Sequence, residues 1–240
     1  MRGPIDARTS KLCYAPNLKW KNIDFKEVFG EKDFEIMVEN DSKLSLLAES
    51  FYSSDIKNSS NAFFLYLGEG VGGAIFINGR MIRGMNSAAG EIGHTLLRIC
   101  DGLVEVEKLL SIANLLENFE KRKNIEEGGT LKDRFVKLQK AWFSGDRTAK
   151  ELLEKFLDNL AIVLRNVCYM LNPQVVVFGG CTNNFWETFG STIQERLARL
   201  DDYGFLQGIV FRDNLFKNVS APLLGCNVMA INKLIEDLAG

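Results

Sequence analysis

Between residues 146 and 172 the apolar side chains Ala149, Leu152, Leu153, Phe156, Leu157, Leu160, Val163, Leu164 and Val167 step by three and four, the period of one helical face. Asn172-Pro173 stops the pattern. Gln174-Val175-Val176-Val177-Phe178 follows, a continuous apolar run as expected for a strand buried on both faces of a parallel sheet, ended by Gly179-Gly180. A further helix is predicted over about 184–200. Long helices alternating with apolar strands place the chain in the α/β class. The succession also has a chemical reading. A strand, a glycine pair and a helix N-terminus can hold a phosphate or a nucleotide edge through backbone amides and the helix dipole, so Gly179 and Gly180 are candidate nucleotide contacts.

A second constrained stretch runs over residues 63–94. After the apolar run 63–67, glycines at 68, 70, 72 and 73 are expected to turn the backbone through positive φ and present amides to a ligand, although a tight hairpin uses the same residues. Residues 74–77, the Asn78-Gly79 turn and residues 81–83 complete an antiparallel meander. Glu91 and His94 come next, three apart among Ala88, Ala89, Gly90 and Gly93, small residues that leave room for a ligand. His94 is the chain's single histidine, and such a residue is more often structural than a ligand group.

Upstream, Gly3-Pro4-Ile5-Asp6 reads as a turn and Ala15-Pro16-Asn17-Leu18 with Trp20 as an extended segment set by its proline. Glu35-Ile36-Met37-Val38-Glu39 fits a strand. Asp41 then opens a helix carrying Leu44, Leu47, Ala48 and Phe51, where it either caps the helix or does chemistry. The polar residues of 53–60 are the expected lobe boundary. Downstream of His94 the pattern predicts a strand at 95–99, helices at 105–119 and 132–143, a polar break at 126–129, a last strand at 219–221 and a final helix at 227–238.

With 46% apolar and 25% charged residues, 240 residues can bury a core as one large domain or two lobes. A net charge of -2 and a pI near 5.7 lack the basic footprint of a nucleic-acid surface, so no nucleic acid is expected to bind this chain alone. Five cysteines, at 13, 100, 168, 181 and 226, lie far apart with no C-x-x-C pair. That spacing suggests reduced, mostly buried thiols in a cytoplasmic protein, not a disulfide framework. No stretch reaches eighteen uninterrupted apolar residues, and the N-terminus lacks a secretory pattern, so neither a membrane span nor secretion is expected.

These residues resemble the ROK family of sugar kinases and sugar-responsive repressors almost from end to end. Residues 3–6 with 15–20 are similar to its segment before the active site, Glu39-Asn40-Asp41 to its catalytic motif, and residues 67–74 to its second phosphate loop. Gly90-Glu91-Ile92-Gly93-His94 resembles its sugar-binding signature. Asn172-Pro173 with Gly179-Gly180, and Leu224-Gly225, resemble its nucleotide-side strand and closing helix. The resemblance implies an actin-like ATPase (ribonuclease H-like) fold of two lobes with a sugar in the cleft. The small lobe, 1–58 with 226–240, is expected to be incomplete beside a large lobe of 59–225, and a homodimer is implied. Asn40, Asp41, Glu91, His94 and Glu107 are the implied sugar contacts. Gly68, Gly70, Gly72, Gly73, Gly179 and Gly180 are the phosphate and nucleotide contacts if nucleotide binding is retained.

The departures bear on which kind of member this is. Family kinases begin with a strand and hairpin carrying Asp-x-Gly-x-Thr, and the repressors precede that with a helix-turn-helix. This chain starts downstream of both, and truncation is the expectation. Glu69 stands where the family usually has threonine, and a carboxylate about 4 Å from a phosphoryl charge costs roughly 4 kcal/mol at an effective dielectric of ~20 unless a metal intervenes. Of the zinc motif Cys-x-Cys-Gly-x-x-Gly-Cys only Cys100 remains, with Glu105 about where the last cysteine would stand, so zinc is not expected. Lys43 replaces the family's usual asparagine. The favoured expectation is the sugar-binding effector domain of a ROK-type regulator. The alternative is an ATP- and Mg²⁺-dependent sugar kinase with Asp41 as the base that takes a proton from a sugar hydroxyl. A dimerisation domain with an empty cleft is the third reading.

Overall fold

The computed structural model describes residues 5–6, 11–15, 19–30, 35–99, 102–126, 128–181 and 184–239, with the backbone alone at 6 and 13–15. Packing divides the chain into two compact units. Unit 1 takes residues 1–64, 73–91 and 215–240, and unit 2 takes 65–72 and 92–214.

Unit 1 opens with a small antiparallel sheet of β1 (Ile5–Asp6), β2 (Lys11–Ala15) and β3 (Trp20–Asp24), in that order. Ile5 lies opposite Leu12, so Ile5 and Asp6 are paired strand and not the expected turn. Ala15 lies opposite Trp20, and both are paired strand. Gly3, Pro4 and residues 16–18 lie outside the described residues. Asp24 caps α1 (Phe25–Phe29) by accepting the Lys26 N–H at 2.9 Å. Phe25, Ile5 and Leu12 form a core on which Ile23, Ile36 and Val38 pack. Residues 35–39 do not form the expected strand. Their apolar pattern registers the packing of Ile36 and Val38 on that core, which needs no ladder.

The helix α2 (Asp41–Tyr52) and the short α3 (Ser54–Lys57) lead into β4 (Asn61–Leu67), β5 (Val71–Ile77) and β6 (Arg80–Ile82). Asn78 and Gly79, at φ 51 and 74, supply the two left-handed positions of a tight hairpin between β5 and β6. The last helix of the chain, α9 (Ala221–Ala239), also belongs to unit 1. It begins earlier than the sequence pattern predicts and takes in Ala221, because Pro222 falls in its first turn, where a missing N–H costs nothing; residues 219–220 do not form the expected strand. Helix α9 meets α2 at Gly225, where a Cβ would press on the backbone of Leu44, with Cα at 2.8 Å.

In unit 2, β7 (Leu96–Ile99) and β8 (Gly102–Glu105) form an antiparallel hairpin. The single helix expected over 105–119 is two, α4 (Val106–Leu110) and α5 (Ile112–Lys123). Ser111 leaves helical geometry at ψ 135 and caps α5 by accepting the Asn114 N–H at 3.2 Å. Thr130 and Asp133 form a capping box at the start of α6 (Leu131–Phe143). Asp146 caps α7 (Arg147–Leu171), which Asn172 ends at φ 42. β9 (Val175–Gly180) continues through both of its glycines, and α8 (Phe185–Leu200) follows. A strand the sequence did not signal, β10 (Val210–Asp213), pairs parallel to β9 with Val210 opposite Val175. The main sheet has the order β10-β9-β4-β5-β6.

The core of unit 2 is aromatic. Phe185 and Phe189 of α8 pack against Phe135 of α6, and Phe185 also meets Phe156 of α7 and Phe178 of β9. Each fully buried ring contributes about 2–3 kcal/mol. Cys168 is buried and its thiol is pushed up to about 12 by burial, then by Asp201. Cys181 is half-buried and Cys226 exposed, so the described thiols are less uniformly buried than the sequence suggested. Among the described residues no helix is long and apolar enough to cross a membrane.

Candidate functional site

The candidate residues fall in both units. In unit 1, Asn40 and not Asp41 is the N-cap of α2. Its Oδ1 accepts the N–H groups of Ser42 at 2.9 Å and Lys43 at 3.2 Å, which commits that oxygen to the helix end. Asp41 is the first helical residue, half-buried, with Oδ1 accepting the Ser42 N–H at 2.9 Å. The residue before them is the more deeply engaged. Glu39 is buried, accepts the Asn40 N–H at 2.9 Å through Oε1 and the Arg83 Nε–H at 2.7 Å through Oε2.

One turn into α2, Lys43 is 1% exposed, and its ammonium donates to the carbonyl of Ser87, itself 3% exposed. Burial pulls the Lys43 pKa below the ordinary lysine value; Glu39 and then Glu91 oppose this, while Arg83 adds to it. Glu91, half-buried, thus belongs to the same charged neighbourhood as Glu39 and Lys43. The loop that carries it is tight. Ala89 N–H reaches Arg83 O at 3.0 Å, Glu91 N–H reaches Ala88 O at 3.3 Å, and Ser87 stands at φ 57.

In unit 2, Glu107 lies in the first turn of α4, and its Oε2 accepts the Val71 N–H at 3.0 Å. That amide closes the glycine turn, which Gly68 N–H to Gly70 O (3.0 Å) and Ala113 N–H to Gly68 O (3.2 Å) also hold. None of Gly68, Gly70, Gly72 and Gly73 has a positive φ, contrary to expectation. Glycine is needed here for close approach. A Cβ at Gly70 would strike the Glu107 carboxylate, and one at Gly73 would lie 2.6 Å from the Gly90 carbonyl oxygen. Gly72 sits in β5. Glu69 is exposed. His94 ends a 3-10 turn (Ile92–His94), is 49% exposed, and stands with Nδ1 3.9 Å from Glu105 Oε1. Thr95 O accepts the Val106 N–H at 2.9 Å, tying the residue after His94 to the start of α4, whose second residue is Glu107.

Gly179 and Gly180 lie in β9, where Gly180 at φ 122 abuts the Leu67 backbone. The helix end beyond them is already filled. The N–H groups of Trp186 and Glu187 donate to Asp213 Oδ1 and Oδ2 at 2.8 and 3.0 Å, and Trp186 stacks between Phe178 and Phe211 at ring distances of 5.2 and 5.0 Å. Nothing in the sequence signals the Asp213 contact, which joins residues 26 and 27 positions apart. Glu39 was legible as part of its motif. Arg83 was not, reading only as the end of a strand. Among the described residues no three His, Cys, Asp or Glu side chains are grouped to hold a metal ion; Cys100 lies outside the described residues.

A mixed five-stranded sheet with helices makes this an α/β protein, with the actin-like ATPase fold. The ROK family model matches residues 1–203, and the chain belongs to the ROK family. An uncharacterized protein of Clostridium perfringens is 31% identical over 203 residues, 82% of this chain and 65% of the relative. The xylose repressor of Caldicellulosiruptor bescii is 23% identical over 98% of this chain and 62% of its own. The N-acetyl-D-glucosamine kinase of Photobacterium profundum is 30% identical over 68% and 57%. The chain thus spans about two thirds or less of the length of these relatives. Among solved structures, a ROK family transcriptional regulator homologous to the E. coli MLC protein superposes with a TM-score of 0.77 at 18% identity, covering 95% of this chain and 60% of that one. A ROK family protein of Streptococcus pneumoniae in complex with sucrose gives 0.76 at 21%, covering 97% and 79%.

Proposed function

We propose that the chain is the sugar-binding effector domain of a ROK-type transcriptional regulator, with Asn40, Asp41, Glu91, His94 and Glu107 hydrogen-bonding sugar hydroxyls. The observation that carries this choice over phosphoryl transfer is that backbone amides suited to phosphates are bonded to the chain's own carboxylates. Asp213 takes Trp186 and Glu187 N–H at the start of α8, and Glu107 takes Val71 N–H at the glycine turn. A nucleotide phosphate would have to displace both carboxylates and then sit beside them, at roughly 4 kcal/mol per like-charge pair at ~4 Å and an effective dielectric of ~20. These bonds support a sugar-binding role over a role that needs ATP with Mg²⁺. The kinase relatives and Asp41 favour the second reading, a sugar kinase, to that extent only. DNA contact, on this proposal, belongs to a helix-turn-helix outside residues 1–240, and a homodimer in the cytoplasm is part of the same reading.

The test is a thermal-shift screen of neutral monosaccharides up to millimolar concentration, with ATP turnover measured in parallel. At least one sugar should raise the melting temperature, Asp41→Ala and Glu91→Ala should each weaken it about tenfold, and turnover should stay at background. Sugar-dependent ADP release that disappears in Asp41→Asn would overturn the effector reading in favour of the kinase.

A further inference from the structure

Lys43 is the one cation among the fully buried side chains described. A lysine is rarely enclosed so completely, because the ammonium loses its hydration. Here one recipient compensates: the Ser87 carbonyl, buried as well, in a residue held at φ 57, a conformation that non-glycine residues seldom adopt. Ser87 is the middle of the loop joining Arg83 to Glu91. Both ends of that loop are pinned. Arg83 is paired to Glu39, and Gly90, at φ 90, approaches so closely that a Cβ there would lie 2.6 Å from the Gly73 carbonyl oxygen. The loop's centre is fastened from within by Lys43.

We propose that Lys43 is a positioning residue for the sugar site: its enclosed side chain fastens the 84–91 loop to the helix end that carries Asn40 and Asp41, and so sets where Glu91 stands. The inference rests on the proposed sugar-binding role of Glu91. Lys43 does not touch ligand, being closed to solvent, and acts through Glu91. The charged groups that face its ammonium are Glu39, Glu91 and Arg83, of which Glu39 and Arg83 are paired with each other.

Two variants separate positioning from bulk stability. Lys43→Met keeps the length of the side chain and removes the ammonium, and Leu153→Ala in α7 serves as a destabilised control. By titration calorimetry with whichever sugar the screen finds, Lys43→Met should weaken binding about tenfold, whereas Leu153→Ala lowers the melting temperature without changing affinity. In a double-mutant cycle, Lys43→Met with Glu91→Gln should bind no more weakly than Glu91→Gln alone. Additive losses, or an unchanged affinity in Lys43→Met, would overturn the proposal. If no sugar binds the parent protein, the effector reading itself has failed, and amide exchange decides the placement of the loop. Residues 84–91 should exchange about tenfold faster in Lys43→Met with β9 unchanged. Equal protection of that loop in both proteins sinks the inference independently of any ligand.

Discussion

At the scale of single residues, carboxylates do unlike work according to what their oxygens face. Asp213 closes the end of α8 from a different strand, a tertiary cap that neither helix residues nor their neighbours supply. Asp213→Ala strips both acceptors and should cost about 1–2 kcal/mol in urea unfolding, the range for a lost helix cap with two N–H groups left unmet, while Asp213→Asn should retain part of it. An unchanged urea midpoint in the alanine variant would mean that water serves those amides equally well. Asn40 and Asp41 show the converse lesson. The residue that the sequence offered as a cap is the one beside it. Asn40 takes the capping role, which leaves the Asp41 carboxylate with a single neighbouring amide as its described hydrogen-bond donor.

At the scale of elements, two contacts carry consequences that can be measured. Gly225 allows α9 to lie directly on α2, and Gly225→Ala would place a methyl against the Leu44 backbone, which cannot move as a flexible side chain would. Despite the better helix propensity of alanine, the variant should lose about 1–3 kcal/mol and melt at a lower temperature by calorimetry. Helix starts give the second. The Thr130 hydroxyl and backbone hold the Asp133 carboxyl below its ordinary 3.8, and the Lys123 ammonium with the Ala149 amide does the same for Asp146. A carboxyl whose pKa is lower in the folded state adds stability above the unfolded value and loses it as pH falls through the folded one. The urea midpoint should therefore decline below about pH 4, and Asp133→Asn with Asp146→Asn should flatten that decline. A decline of the same size in the double variant would place the acid sensitivity elsewhere.

Across the whole molecule, what was legible in the sequence is what repeats. The stepping of Leu153, Phe156, Leu160 and Val167 gave α7, the unbroken Val175-Val176-Val177-Phe178 gave β9, and Asn78-Gly79 gave the hairpin, since each pattern is set by local geometry. What depends on a distant partner was hidden. β10 is a four-residue strand defined by its pairing with β9, and Ser111 breaks a pattern whose apolar period continues across it. The candidate site divides along the same line. The motif residues Asn40, Asp41, Glu91, His94 and Glu107 could be read as a group through family resemblance. Enclosure of Lys43 and occupation of the α8 end by Asp213 could not, because neither leaves a local signature. The glycines were found for the wrong reason: their absent side chains, not their dihedral freedom, are what the turn uses.

The order of the segments along the chain has one more consequence. Unit 2 is closed within residues 65–214, whereas unit 1 gathers three separated segments, the last beginning at Leu215 and containing α9. A ribosome therefore delivers every part of the aromatic core of α6, α7 and α8 before it delivers the helix that packs on α2. During synthesis α2 must wait, its Leu44 side uncovered, while nearly the entire intervening chain is made. Because α9 is translated after all of unit 2, a premature stop between Asn214 and Ala221 would spare unit 2 and leave unit 1 without this helix.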